Sequence, residues 1–444
     1  MKTRTFVLIL AALAAARLVL MATTPVFEPS EARYAAISAN MARSGDFVVP
    51  RFTHNLEYQA FDGKPPLVFQ AGGLFCRAFG VSEFAVRLFP FLSAALLLAL
   101  LFGAVKRRTD AETGRLAVLV AATCTAFFAA AGLSMTDMTL ACAVGGALLL
   151  YSGFRDGRRL GDAAGVAALL GVGMITKGPV ALVLFGLPVL LDALVRRRWD
   201  GIFTWTWLVV APIFMLVAVP WFVLVERRNP GAVWYFFYNE NFLRFVSHDY
   251  GDKYGAGREA FRGVSVVWAF VATLPWALGP AWTVARGCVS SFRRAGVRAF
   301  RHAGAWAVGR MRESFELTAI VAIVGFWCLT SRVLVYYLFP VIPLFAAWLA
   351  ERGDRTRLAR LAPHAACLSV AVVALALACG MLFSDKMKGA ATPFSFLENH
   401  YAHEFYHGRM TDAQLAPYRR ARAVYLEMRA KRKAAEAAKG RGMK

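Results

Sequence analysis

The sequence predicts an all-α polytopic membrane protein, with about eleven transmembrane helices and interfacial helices in two outer loops. Three observations carry this. Of 444 residues, 58% are hydrophobic and only 18% charged, too few to give a water-facing exterior. Apolar runs of span length recur along the chain. Lys and Arg gather at the ends of alternate runs, as the loops on the cytoplasmic side of a membrane require.

The runs place spans at 5–23, 84–105, 114–132, 136–154, 162–176, 178–195, 205–225, 263–285, 315–331, 333–350 and 364–383. The first resembles a signal peptide in its basic flank. It lacks a small-residue cleavage site and reads as a retained helix. With Lys2 and Arg4 inside, the inner loops are the more basic although the outer loops are longer in total. The formal charge of +23 therefore reads as topology, with anionic lipids as partners and no nucleic acid. The apolar stretch 65–81 is laid along the membrane surface, because a crossing there would invert the charge bias of every later loop. The domain division is a membrane domain over 1–383, with outer loops at 23–83 and 226–262, and a short basic tail over 384–444. Most of the seven cysteines lie inside apolar runs, without a CxxC, and read as small core residues. Nothing in the pattern fixes an oligomeric state.

The first outer loop is the main polar stretch, and one this long is rarely only a connector. It holds Glu28, Glu31, Asp46, Glu57 and Asp62, the pair Arg33-Tyr34, and the turn Gly63-Lys64-Pro65-Pro66. Ser30 is a plausible N-cap for a helix over 30–43, which Gly45-Asp46 ends. Its alanines leave a weakly apolar face that suits the interface plane. The later outer loop, WYFFYNENFLRFVSHDYGDKYG, has the aromatic and polar composition of a second interfacial segment, with Arg244 reaching polar groups.

Read alone, several charged residues leave two roles open. Asp137 opens an outer helix, as a dipole partner or as a catalyst. Lys177 and Arg332 lie at the outer boundary, as snorkelling anchors or as contacts to a sugar phosphate. In the tail, His403-Glu404-Phe405-Tyr406-His407 is a formal H-E-x-x-H, with His403 and His407 on one helical face. The tail is too small for a peptidase domain, so incidental zinc binding is the most this motif supports.

Together, EARYAAISANMARSGDFVVPRF, GKPPL and FGVSEFAVRLFPFLSA resemble the N-terminal signature of lipid-dependent membrane glycosyltransferases of the GT-C fold. The groups in question are the bacterial aminoarabinose transferases and the protein O-mannosyltransferases. LSMTDMTLACAVG, TKGPVALVL, YNENFLRF and SRVLVYYLFPVIP resemble later family segments in the same order. The resemblance implies a multi-pass protein of the bacterial inner membrane that moves a sugar from a polyprenyl phosphate to an envelope acceptor at the periplasmic face. The acceptor would be a lipid A-like glycolipid, another glycan or a protein.

The resemblance also implies residue roles. Lys64 matches the lysine before the family's proline, Arg244 the phosphate-contacting arginine, Arg33-Tyr34 the Arg-Tyr of the first loop, and Tyr337 the late tyrosine. Asp137 lies in the family's short outer loop and Lys177 in its Lys-Gly-Pro turn. The donor is the lipid-linked sugar. No cofactor is required, and a divalent metal is compatible but not indicated. The family's catalytic Asp aligns with Ser30, which cannot act as a carboxylate, so the base falls to Glu31 or Glu28. The position before Lys64, often Glu in the family, is Gly63, with Asp62 one residue back. These departures leave a degenerate lipid-sugar binder as an alternative. A lipid-linked sugar flippase is the other, against which the gathering of polar residues in two outer loops argues.

Overall fold

The computed structural model describes residues 2–26, 30–54, 57–246, 259–295 and 308–383, with 404, 405, 413, 427 and 431 of the tail. Each of the eleven apolar runs is helical. Among the described residues, six helices are long and apolar enough to cross a membrane. They are α1 (Thr3–Thr23), α4 (Glu83–Arg108), α7 (Thr136–Gly157), α8 (Leu160–Lys177), α10 (Thr206–Arg228) and the last, Arg355–Phe383, whose apolar stretch ends at Leu382. The other runs form shorter or broken helices. The 114–132 run divides into α5 (Ala111–Ala122) and α6 (Thr125–Ala130). At the break, Thr123 returns its hydroxyl to the Leu119 carbonyl (2.5 Å) and receives Trp276 Nε1 (2.9 Å). The 178–195 run is α9 (Val180–Arg196), and 263–285 divides into α11 (Val264–Ala272) and α12 (Leu278–Ala295). After α13 (Phe315–Trp327), a 3-10 turn (Val335–Leu338) leads into α14 (Val341–Arg352). The Arg355–Phe383 helix is α15.

Helix α7 is the axis of the bundle, with Leu140, Val144, Ala147, Leu148 and Phe154 all essentially inaccessible. It packs on α4 and α8. At its Gly157 end, arginines of the basic loops clamp neighbouring helices. Arg108 bonds Glu316 (2.7 Å), Glu351 (2.8 Å) and Ser152 (2.7 Å), and Arg107 bonds Asp162 (2.9 Å). The exterior of α10 is bare hydrocarbon, with Leu216 76% exposed, as a lipid-facing helix must be.

The first outer loop folds into a small unit at the opposite end. Helix α2 (Ser30–Ser44) closes on Gly45 with φ +75°, and α3 (Leu67–Phe79) lies beside it. Two glycines permit the close approach: a Cβ on Gly72 would fall 2.6 Å from Ser38 Oγ, and one on Gly73 3.1 Å from the Ser38 carbonyl oxygen. The expected interfacial face of α2 is instead buried on nearly every side. Its cover includes two strands, β1 (Arg51–His54) and β2 (Glu57–Ala60), paired antiparallel with Arg51 opposite Ala60. The fold is thus α-helical with one hairpin that the all-α expectation lacked. Phe405 of the tail is fully buried in this unit's core with Phe52, Phe61 and Phe69, and Asn40 Nδ2 bonds Glu404 Oε1 at 2.5 Å.

Candidate functional site

Four segments meet at the loop end of the bundle. The Gly63–Pro66 turn brings Lys64. The C-terminal end of α8 brings Lys177, because Gly178, at φ +84°, turns the chain into α9. Any side chain at Gly178 would overlap the Phe236 ring, so this turn seats directly on the third segment. That segment, Tyr235–Leu243, is a π-helix. Its wider turn stacks residues five apart, with Asn241 Nδ2 donating to the Phe236 carbonyl (2.8 Å) and Tyr235 facing Glu240 (3.4 Å). The fourth is the 330–337 turn, with Arg332 and Tyr337.

Together they enclose a cavity of about 330 Å³ whose lining includes Lys64, Lys177, Glu240, Arg244, Arg332 and Tyr337. Two of its four cations converge on one carboxylate in its wall. Glu240 Oε2 lies 3.1 Å from Arg244 Nη1 and 3.6 Å from Lys64 Nζ. Lys177 Nζ bonds the buried Asp137 at 2.5 Å and lies 4.1 Å from the centre of the Tyr337 ring. Arg332 bonds Glu259 at 3.2 Å. Burial lowers the Lys64 ammonium to about 8. Glu240 opposes that drop, while the positive charges of Arg244, Lys177 and Arg33 add to it. A pocket with this excess of positive charge attracts a tetrahedral anion.

Five of the sequence's candidates, Lys64, Lys177, Arg244, Arg332 and Tyr337, thus line one cavity, and Asp137 joins it through Lys177. Arg33, Tyr34 and Asp62 stand behind the wall. Tyr34 packs on Phe69 (ring centres 5.1 Å apart), and burial pushes its hydroxyl up to about 12. Arg33 lies 5.9 Å from the centres of the Tyr34 and Phe61 rings. Asp62 receives Asn229 Nδ2 at 2.8 Å.

The first-loop carboxylate needs correction. Glu31 does not face the cavity. Its Oε1 accepts Arg87 Nε (2.8 Å) and the Ser134 amide (3.0 Å), and its Oε2 accepts Arg87 Nη2 (3.1 Å), at 2% exposure. A carboxylate so engaged ties α2 to α4 and to the start of α7 and is not placed to take a substrate proton. Ser30 opens α2, half-buried. Glu28, His403 and His407 lie outside the described residues.

Sequence reasoning missed Glu240, four residues before Arg244 within the quoted NENFLRF, and the buried Arg87. The signal for the second was an arginine inside an apolar run.

The cavity at the loop end of a helical bundle, between two outer loops, defines a polytopic membrane protein of the GT-C fold. The structure is similar to the crystal structure of ArnT from Cupriavidus metallidurans in the apo state, with TM-score 0.60 at 26% identity, covering 86% of this chain and 64% of that one. The same protein bound to undecaprenyl phosphate matches with TM-score 0.63 at 22% identity, covering 94% and 80%. Residues 63–223 match the family described as dolichyl-phosphate-mannose-protein mannosyltransferase. The undecaprenyl phosphate-alpha-4-amino-4-deoxy-L-arabinose arabinosyl transferase of Edwardsiella ictaluri is 29% identical over 226 residues, 50% of this chain and 40% of the relative. An enzyme of that description from Sodalis glossinidius is 31% identical over 233 residues, again 50% and 40%. The chain is thus similar to aminoarabinose transferases, and over residues 63–223 to the protein mannosyltransferase family. It spans less than half the length of these curated relatives.

Proposed function

We propose that this protein is a glycosyltransferase of the bacterial inner membrane. It moves a sugar from a polyprenyl phosphate to an envelope acceptor, a lipid A-like glycolipid in the first instance, at the periplasmic face. One observation carries the reading: Lys64 and Arg244, from separate outer loops, grip a single carboxylate in a cavity that Lys177 and Arg332 also line. The donor's phosphate takes the place of Glu240 as their partner.

Transfer breaks the bond between the anomeric carbon and the phosphate oxygen, and negative charge grows on the departing lipid phosphate. Cations fixed around that phosphate stabilise the charge as it forms. Lys64, with its lowered affinity for a proton, is still mostly charged near neutral pH, and the arriving phosphate strengthens its hold on that proton. With Glu31 engaged by Arg87, the acceptor's proton falls to Glu28 or to Asp137, which is bonded to the cavity-lining Lys177. The lipid-linked sugar is the only reactant besides the acceptor that this chemistry needs. The similarity to undecaprenyl phosphate-alpha-4-amino-4-deoxy-L-arabinose arabinosyl transferases supports the donor class.

Mass spectrometry of envelope lipids tests this. A deletion strain lacks one sugar modification, wild-type protein restores it, and Lys64→Met at equal protein level does not. Identical glycans in all three strains sink the proposal. Serine at the position of the family's Asp favours one second reading, a binder of lipid-linked sugar without turnover. Purified protein that binds the donor yet never releases the lipid phosphate establishes it.

A further inference from the structure

A second cavity, distinct from the first, lies between α1, α4, α5 and α6. It measures about 410 Å³. Its floor is small, with Ala14, Ala95 and Ala99, and phenylalanines such as Phe6, Phe102 and Phe128 form its rims. Ala95 and Ala99 are open to the exterior. Along α1 it runs from Phe6 to Arg17, eleven residues or about 16 Å at the helical rise, close to the depth of one leaflet of a hydrocarbon core of roughly 30 Å.

Arg17 closes its deep end. The residue is 3% exposed, and its Nη2 donates to the Ala129 carbonyl at 2.6 Å. Its Nε and Nη1 meet no acceptor among the described residues. The charges of Arg87 and Glu31 reach it, but that carboxylate is already doubly bonded to Arg87. A buried surplus of positive charge with open donors calls for an anionic acceptor.

We infer that this trough is a binding site for one chain of an anionic glycerophospholipid, with the phosphate end at Arg17. The alanine floor suits an unbranched acyl chain, and the leaflet-deep length suits a chain that ends there. A polyprenyl tail is longer and carries a methyl branch on every unit. The phosphate-gripping residues assigned to the donor line the other cavity, so the two sites fill independently.

The test is native mass spectrometry of detergent-purified, delipidated protein titrated with palmitoyl-oleoyl phosphatidylglycerol, or with phosphatidylcholine of the same chains. Wild type takes up one phosphatidylglycerol at least tenfold more tightly than phosphatidylcholine. Arg17→Gln loses that preference. Ala99→Phe fills the exposed floor without touching the guanidinium and loses the tight site for both lipids, which keeps the test valid if Arg17→Gln fails to fold. Equal affinity for the two headgroups, or unchanged binding in Ala99→Phe, overturns the inference. So does displacement of phosphatidylglycerol by equimolar undecaprenyl phosphate, which would assign the trough to the carrier.

Discussion

Arg87 and Glu31 form a two-pronged ion pair beneath the first outer loop, with Nε–Oε1 at 2.8 Å and Nη2–Oε2 at 3.1 Å. Arg87 also donates to the carbonyls of Met21 (3.0 Å), Thr24 (2.6 Å) and Pro25 (2.8 Å), so one side chain gathers the end of α1 and the chain leading to α2. Removing one partner of such a buried pair leaves a charge without its counterpart and costs about 3–5 kcal/mol. Arg87→Met is therefore expected to lower the thermal unfolding midpoint in detergent sharply. Replacing both residues, with Glu31→Leu and Arg87→Met, is expected to do less harm than Arg87→Met alone. A double variant worse than Arg87→Met would contradict a mainly structural role for Glu31.

Asp137 is a candidate for the acceptor's proton because it bonds Lys177, which lines the cavity. Loss of a general base typically slows a reaction by about 10²–10⁴-fold. Asp137→Asn should lower kcat by that order while leaving donor binding within a few-fold of wild type. A variant with unchanged kcat would remove Asp137 from the chemistry.

The pH profile reports on Lys64. In the free protein its ammonium is held down to about 8, so its charge is present below that pH and lost as pH rises through it. The value of kcat/KM should accordingly fall by up to about tenfold per unit above pH 8, since it follows the ionisation of the free protein. An arginine stays protonated throughout this range, so Lys64→Arg should remove that alkaline limb even if its maximal rate is lower. An identical limb in the arginine variant would assign the titration to another group.

Gly178 allows the α8 turn to seat against Phe236. Gly178→Ala both strains a φ of +84° and pushes the ring away, and with it the π-helical turn that presents Glu240. The expected result is a donor KM raised roughly tenfold or more, with the protein still inserted and monodisperse. A wild-type KM would show that the turn does not position the cavity wall.

What the sequence made legible was chiefly what local patterns encode. Apolar length located eleven helical runs, and the placement of basic loops matched the end where Arg108 clamps its neighbours. Lys64, Lys177, Arg244, Arg332 and Tyr337, drawn from four separate segments, meet at one cavity. Three things were hidden because they depend on tertiary partners. Glu31 looked like a free loop carboxylate until Arg87, 56 residues away, was seen to occupy it. Glu240 enters the cavity through a π-helical register that 3.6-residue periodicity does not anticipate. The hairpin lies in a short polar stretch, RFTHNLEYQA, where only Phe52 is fully buried among residues with a described side chain.

The most direct measurement of the central claim is equilibrium binding of undecaprenyl phosphate to the purified protein, with undecaprenol as the uncharged control. If Lys64 and Arg244 together hold the phosphate, the double variant Lys64→Met, Arg244→Met should bind the phosphate at least a hundredfold more weakly, while its weak affinity for undecaprenol stays that of the wild type. Undiminished phosphate binding in a folded double variant would contradict the account.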